Sequence, residues 1–224
     1  MGNSYNRAVI WDMDGVIADT ALPHYRSWQF AFHKQGIQFS DEDFQQVFGQ
    51  RNDLIVKKMM GSEFSQELID IISEDKETYF RDSVLKDLRP FPGVLDLLQL
   101  LSENNIASAV GSSAPLENVE VILKGLKIKQ YFQAMVFGLE VKEGKPSPEV
   151  FLTAAAKLEV KPANCIVIED AIAGVMAAKR AGMACIGVTN THPPAALAAA
   201  DWVLDSLEKV KLADLERLFT AKKK

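Results

Sequence analysis

The sequence predicts an α/β protein, a doubly wound parallel sheet with a helical domain inserted after its first strand. Three observations predict it. Short apolar runs recur along the chain and stop at acids, hydroxyl residues or glycine. Amphipathic stretches of helical length separate them, and strand alternating with helix is the pattern of a parallel sheet covered on both faces. One long interval, residues 21–88, breaks the alternation with apolar residues at helical spacing and no strand pattern.

The first strand is residues 7–12, Arg7-Ala8-Val9-Ile10-Trp11-Asp12, short and apolar and ending in an acid, as a buried parallel strand should. Within the interval that follows, residues 54–60 and 68–72 repeat apolar side chains with helical period. Arg89-Pro90-Phe91-Pro92-Gly93 is rigid and turn-prone, a return hinge from the insert, and the outgoing hinge lies near residues 17–20. The expected division is a core of residues 1–18 and 89–224 and a helical cap of residues 19–88. Beyond the hinge, strands are expected at 106–110, 134–137, 165–168, 184–188 and 202–204, with helices at 94–103, 116–126, 148–158 and 171–181.

Composition narrows the function. The chain has 224 residues, 48% hydrophobic and 25% charged, the range of ordinary globular proteins. Its formal net charge of −5 provides none of the basic field expected of a nucleic-acid binder. No run of about 20 apolar residues marks a membrane span, and no apolar leader core opens the chain. Met1-Gly2 is not read as an acylation signal, because Asn6 stands where that signal wants Ser or Thr. The Lys222-Lys223-Lys224 end reads as a solvated tail. A soluble cytoplasmic protein is the expectation. The two cysteines, Cys165 and Cys185, sit in apolar runs without a CxxC or a His/Cys cluster and read as small buried residues.

The chemistry stands at the carboxyl ends of the strands, where doubly wound sheets bind ligands. Asp12, Asp14, Ser112, Glu169 and Asp170 fall at or just beyond such ends, and Lys145 lies in a loop. Each alone is an ordinary turn or cap residue. Together they gather acids, a serine and a lysine at one edge. While the chain stays extended, Asp12 and Asp14 project to the same side. Their charges, with those of Asp170 and Glu169, repel unless a cation intervenes. Magnesium suits a site of few carboxylates, water and a substrate phosphate. Gly15 permits backbone geometry that a side chain would hinder.

These residues resemble the motifs of the haloacid dehalogenase superfamily of phosphatases and phosphomutases. Trp11-Asp12-Met13-Asp14-Gly15-Val16-Ile17 is similar to its first motif, Ser112 after an apolar strand to its second, Lys145 in Gly144-Lys145-Pro146-Ser147-Pro148 to its third, and Glu169-Asp170 to its fourth. The resemblance implies that Asp12 is the nucleophile and a metal ligand. Asp14 would be the general acid/base, its main-chain carbonyl also on the metal. Ser112 and Lys145 would hold the transferring phosphoryl group. Asp170 would bind magnesium, with Glu169 as ligand or support. Neighbouring acids are expected to raise the Asp14 pKa toward the working pH.

Two similar patterns are rejected. Residues 138–145 differ from a P-loop in the spacing of the glycines and in having Pro146 after the lysine, and no Gly-x-Gly-x-x-Gly is present. Dehalogenation is not expected, since the superfamily's dehalogenases lack an acid at the place of Asp14.

The insert resembles the superfamily's helical cap, which closes over substrate. Asp19-Thr20-Ala21 with His24, Arg26 and Trp28 is similar to the opening of the beta-phosphoglucomutase branch. There, residues at the places of Thr20 and His24 couple closure to Asp14. The other reading of His24 is a polar residue on an amphipathic helix, with Trp28 as a core anchor. The branch's mutases carry an arginine three residues beyond a glycine. Here Gly49 is followed at that spacing by Asn52, and Arg51 comes one residue early. The cap lysine of those mutases has no secure counterpart here, Lys76 being nearby but unaligned. Thr20, His24, Gly49, Arg51, Asn52 and Ser113 are the candidate substrate-binding residues, and His33 and His192 are read as surface or loop residues. The substrate expected is a small phosphorylated metabolite, sugar phosphates first. Three outcomes remain: a phosphatase, a phosphomutase or, remotely, a non-enzymatic binding module.

Overall fold

The computed structural model describes residues 5–61 and 64–221. Met1-Gly2 and the Lys222–Lys224 tail lie outside the described residues. Six strands form one parallel sheet: β1 (Ala8–Trp11), β2 (Ala107–Gly111), β3 (Ala134–Val136), β4 (Cys165–Glu169), β5 (Ala184–Val188) and β6 (Trp202–Leu204). Their order is β3-β2-β1-β4-β5-β6, the doubly wound arrangement. Every strand foreseen in the sequence is present within about a residue of its expected ends.

The near-continuous apolar character of the strands has a direct cause, because both faces of the sheet are covered. Val9 and Trp11 face one side, with Val110, Ile166 and Ile168. There they meet α5 (Val94–Glu103), α6 (Leu116–Gly125) and α9 (Leu212–Ala221). Ala8 and Ile10 face the other side, with Ala107, Ala109 and Val167, against α7 (Glu149–Lys157) and α8 (Ile172–Arg180). Alternate residues of one strand thus serve two cores. Helix α9 was not foreseen; it buries Leu215 and Phe219 against the first core. Both cysteines lie in the second core as buried thiols without a disulfide, and burial pushes the Cys165 thiol up to about 12.

Between β1 and α5 the chain forms α1 (Ala21–His33), α2 (Asp41–Val47), α3 (Asn52–Met60) and α4 (Gln66–Val84), and no strand is found there among the described residues. Ser40 and Asp43 form a capping box at the start of α2, and Ser65 caps α4. These helices bury their own apolar cluster, which includes Trp28, Phe32, Ile55, Val56 and Ile72. The last turns of α4 differ, since Phe80 and Val84 join the first core beside the sheet. The two connections to the insert run together: Ala18 bridges Pro90 antiparallel, and Phe91 N donates to Ile17 O at 3.1 Å. Among the described residues no helix is long and apolar enough to cross a membrane.

Candidate active site

Strands β1 and β4 are neighbours with Trp11 opposite Ile168, and Asp12 N donates to Ile168 O at 3.0 Å. Asp12 and the pair Glu169 and Asp170 therefore emerge side by side, where the strand order reverses. That crevice is where open α/β sheets bind ligands. Ser112 follows β2 and is held by its N–H donating to Val136 O at 3.0 Å. Lys145 comes from the loop before α7, and its ammonium donates to Asp12 Oδ1 at 2.5 Å and Glu169 Oε1 at 2.7 Å. The Lys145 ammonium also lies 5.0 Å from the centre of the Phe151 ring.

All of these groups are buried, so charge decides the site. Three carboxylates face one ammonium. Burial first, then the charges of Glu169 and Asp14, raise Asp12 to about 7 against the pull of Lys145. Burial, followed by Glu169 and Asp12, raises Asp170 well above the usual carboxylate range. Burial works against the charged form of Lys145, but Asp12 and Glu169 outweigh it and hold the lysine above its ordinary value. The site thus has more negative charge than it can neutralise.

A hard divalent cation fits this arrangement. Asp12, Glu169 and Asp170 each present an oxygen, all within 4.8 Å of one another, and oxygen donors with excess negative charge suit magnesium. Two glycines make the room. Gly15 has φ +82°, and a Cβ there would lie 2.0 Å from Asp170 Oδ2. A Cβ on Gly174 would lie 1.7 Å from Glu169 Oε1. Gly15→Ala is therefore expected to displace the Asp170 carboxylate and to lower magnesium-supported turnover at least about 100-fold, since a misplacement of about 1 Å at a reacting centre costs that much. Phosphate release titrated against magnesium checks this, and an unchanged magnesium dependence would contradict it.

Asp14 corrects the sequence reading. Strand β1 ends at Trp11, and Met13 O then accepts from the amides of Val16, Ile17 and Ala18 in a tight turn. The Asp14 carboxylate faces the same cavity as Asp12, whose pKa its charge helps to raise, and it also meets α1. It accepts from Thr20 Oγ1 at 2.6 Å, and His24 Nε2 lies 3.0 Å from the same oxygen. Burial opposes its ionisation. The His24 charge, the hydrogen bonds from His24 and Thr20, and the Lys76 charge outweigh burial and lower its pKa. The expected rise does not occur, because cations and donors rather than acids surround the group.

The remaining candidates divide. Asp12, Asp14, Ser112, Ser113, His24, Gly49 and Asn52 line one cavity between the sheet and α1–α4. Thr20 reaches it only through Asp14. Ser112 Oγ accepts from Ala114 N at 3.0 Å. Arg51 turns away and donates to Val141 O and Lys142 O, both at 3.1 Å, and to Asp53 at 3.0 Å. His33 is exposed and His192 lies in a half-buried bend.

Three residues escaped the sequence reading, Thr191, Asn190 and Glu77, and a fourth, Lys76, was named there without a place in the site. Thr191 donates to Asp170 Oδ2, and Asn190 Nδ2 to Gly15 O at 2.8 Å. Both stand just beyond the carboxyl end of β5, the kind of position that revealed the acids. Lys76 and Glu77 line the cavity from α4, and nothing in their local sequence distinguishes them from a solvated helical face.

The family model for haloacid dehalogenase-like hydrolases matches residues 9–188. A beta-phosphoglucomutase of Bacillus subtilis is 36% identical over 196 residues, covering 84% of this chain and 85% of the relative. A validoxylamine A 7'-phosphate phosphatase of Streptomyces hygroscopicus subsp. limoneus is 29% identical over 205 residues, covering 92% and 96%. Among solved structures, a beta-phosphoglucomutase from Clostridium difficile superimposes with a TM-score of 0.87 at 31% identity, covering 96% of this chain and 97% of the other.

Proposed function

Because this chain belongs to the haloacid dehalogenase-like hydrolase family, we propose that it is a magnesium-dependent phosphatase of small phosphomonoesters, sugar phosphates foremost, that works through phosphorylated Asp12. One observation carries the reading: Asp12 is buried at the sheet's reversal point between Lys145 and the Glu169–Asp170 pair. In the first half-reaction an Asp12 oxygen attacks phosphorus, the bond to the leaving oxygen breaks, and Asp14 gives that oxygen a proton it takes up while α1, with Thr20 and His24, is away from it. Lys145 and Ser112 hold the phosphoryl oxygens. In the second, water attacks phosphorus, Asp14 takes the proton, and inorganic phosphate leaves Asp12. The lowered pKa of Asp14 suits it to the second step, where it acts as a base. Asp12, Glu169 and Asp170, with the main-chain carbonyl of Asp14, would hold magnesium, which neutralises the site's excess charge and that of the phosphate.

Residues 19–88 act as the cap in this reading, with residues 1–18 and 89–224 as the core. The cavity is narrow, about 30 Å³, whereas ligand pockets enclose about 300–1,000 Å³. A sugar phosphate therefore enters when α1–α4 swing away and is sealed from water when they return.

A phosphomutase is the second reading, favoured by Thr20 and His24 at the Asp14 carboxylate and by the names of two relatives. A sugar hydroxyl would then replace water in the second half. The test supplies beta-glucose 1-phosphate, magnesium and a trace of glucose 1,6-bisphosphate, and measures inorganic phosphate and glucose 6-phosphate together. A panel of other sugar monophosphates follows. Phosphate release that a chelator abolishes is the expected result. Isomer without phosphate would replace the phosphatase with the mutase, and neither product across the panel would overturn both.

A further inference from the structure

Resting on the phosphoryl-transfer reading, we propose that the leaving-group side of the cavity is built for a hydroxyl-bearing remainder with no second anion, so that the enzyme selects monophosphates over bisphosphates. Lys145 and Ser112 are taken by the phosphoryl group that is transferred. Among the described residues that line this cavity, His24 faces Asp14 at 3.0 Å, and the other basic residue is Lys76.

Lys76 is not available to a second phosphate. It is 2% exposed, and its ammonium donates to Glu77 Oε1 at 2.7 Å. The Trp28 and Phe80 rings flank it at 5.3 and 5.1 Å. Glu77 is fixed in turn. Its Oε1 accepts from Asn52 Nδ2 at 2.8 Å, and its Oε2 from Asn118 Nδ2 at 2.6 Å. Burial works against the Glu77 charge, but Lys76, followed by His24, outweighs it and keeps the carboxyl below its ordinary pKa. Lysine and glutamate therefore cancel.

The guanidinium of Arg51, next to Asn52 in the chain, is spent elsewhere. Arg51 holds two main-chain carbonyls of the loop before Lys145 and also Asp53. A Cβ on Gly144 would lie 2.9 Å from Arg51 Cδ, so this packing depends on the glycine. Asn52, the residue that does face the cavity, is neutral. Next to it a cavity of about 690 Å³ shares Asn52, Glu77 and Ser113 and sets Asp53, Asp70, Glu74 and Glu117 against Arg51 and Arg81. A second phosphate would thus meet a neutral wall and then an excess of acid, where Arg51 is bound to Asp53 and two main-chain carbonyls and Arg81 to Glu74, leaving little to offset its desolvation. Hydroxyl groups can bond Asn52 Oδ1 and the Ser113 hydroxyl.

The test compares kcat/KM for phosphate release from glucose and fructose monophosphates with that from their bisphosphates, in magnesium. The best monophosphate is expected to exceed every bisphosphate at least tenfold. Asn52→Arg, which places a cation on the wall, is expected to narrow the gap at least tenfold, chiefly through KM for the bisphosphate. Glu77→Gln, which leaves Lys76 uncompensated, should move the ratio the same way and serves if the first variant does not fold. Binding to Asp12→Asn protein, measured by calorimetry, requires no turnover and is expected to give the same ranking. Monophosphate-selective binding without phosphate release would overturn the phosphatase reading alone. Equal or tighter binding of a bisphosphate would overturn the present inference, whichever way the activity came out.

Discussion

Asp12→Asn is expected to abolish turnover and, in the absence of metal, to make the protein more stable. The loss follows from chemistry, since an amide is no nucleophile toward phosphorus and no phosphoryl-enzyme can form; a fall of about 10⁴-fold or more is typical when a nucleophile is removed. The gain follows from the raised pKa. Burial and neighbouring acids lift Asp12 from 3.8 to about 7, so the folded protein holds this proton more tightly than the unfolded chain. Stability is therefore lost as pH rises from about 4 through 7 and stays lost above. At about 1.4 kcal/mol per pKa unit the penalty is a few kcal/mol, and an asparagine does not incur it. Thermal melts in chelator should show the variant above the wild type at pH 8, with the gap closing as pH falls toward 4. A variant that melts lower at pH 8 would show that the bond from Lys145 outweighs the burial of the charge.

Lys145→Ala should also abolish activity but move stability the other way. Lys145 is the one cation between Asp12 and Glu169, at 2.5 and 2.7 Å. Its loss leaves Asp12, Glu169 and Asp170 facing one another without a positive charge. Breaking a buried pair from one side typically costs about 3–5 kcal/mol. Denaturant titration in chelator at pH 8 should show a fall of that order, and magnesium should restore part of it by replacing the missing charge. Adding Asp12→Asn to Lys145→Ala should also recover stability, because it removes one of the stranded charges. Equal stability of Lys145→Ala and wild type would refute this account of the site's charge balance.

The sequence showed the strands and the core acids because their signals are local. A buried parallel strand declares itself in four or five apolar residues, and the residue that ends it is the one at the crevice. Helix α9 was missed although its pattern is amphipathic, since it follows the last strand and no alternation demanded it. Asn190 and Thr191 carried the same end-of-strand signal as Glu169 and Asp170 but not the charge that draws attention. The pKa of Asp14 departs from expectation for another reason. Its acid neighbours stand close in the sequence, whereas the donors and cation that lower it come from the helical insert, Thr20, His24 and Lys76.

By itself, then, the sequence determined the doubly wound sheet, the helical insert and the placing of Asp12, Ser112, Glu169 and Asp170 at strand ends, all properties of short-range periodicity, while Lys145, in a loop, was joined to them by the resemblance of its motif. Only the tertiary structure decided how those charges balance. Asp14 is surrounded by Thr20, His24 and Lys76 rather than by acids. Glu77 cancels Lys76, while Arg51 is bound to residues 90 and 91 positions away. The physical reason is that ionisation depends on burial and on charges close in space, and the groups that supply them here come from elements far apart in the chain.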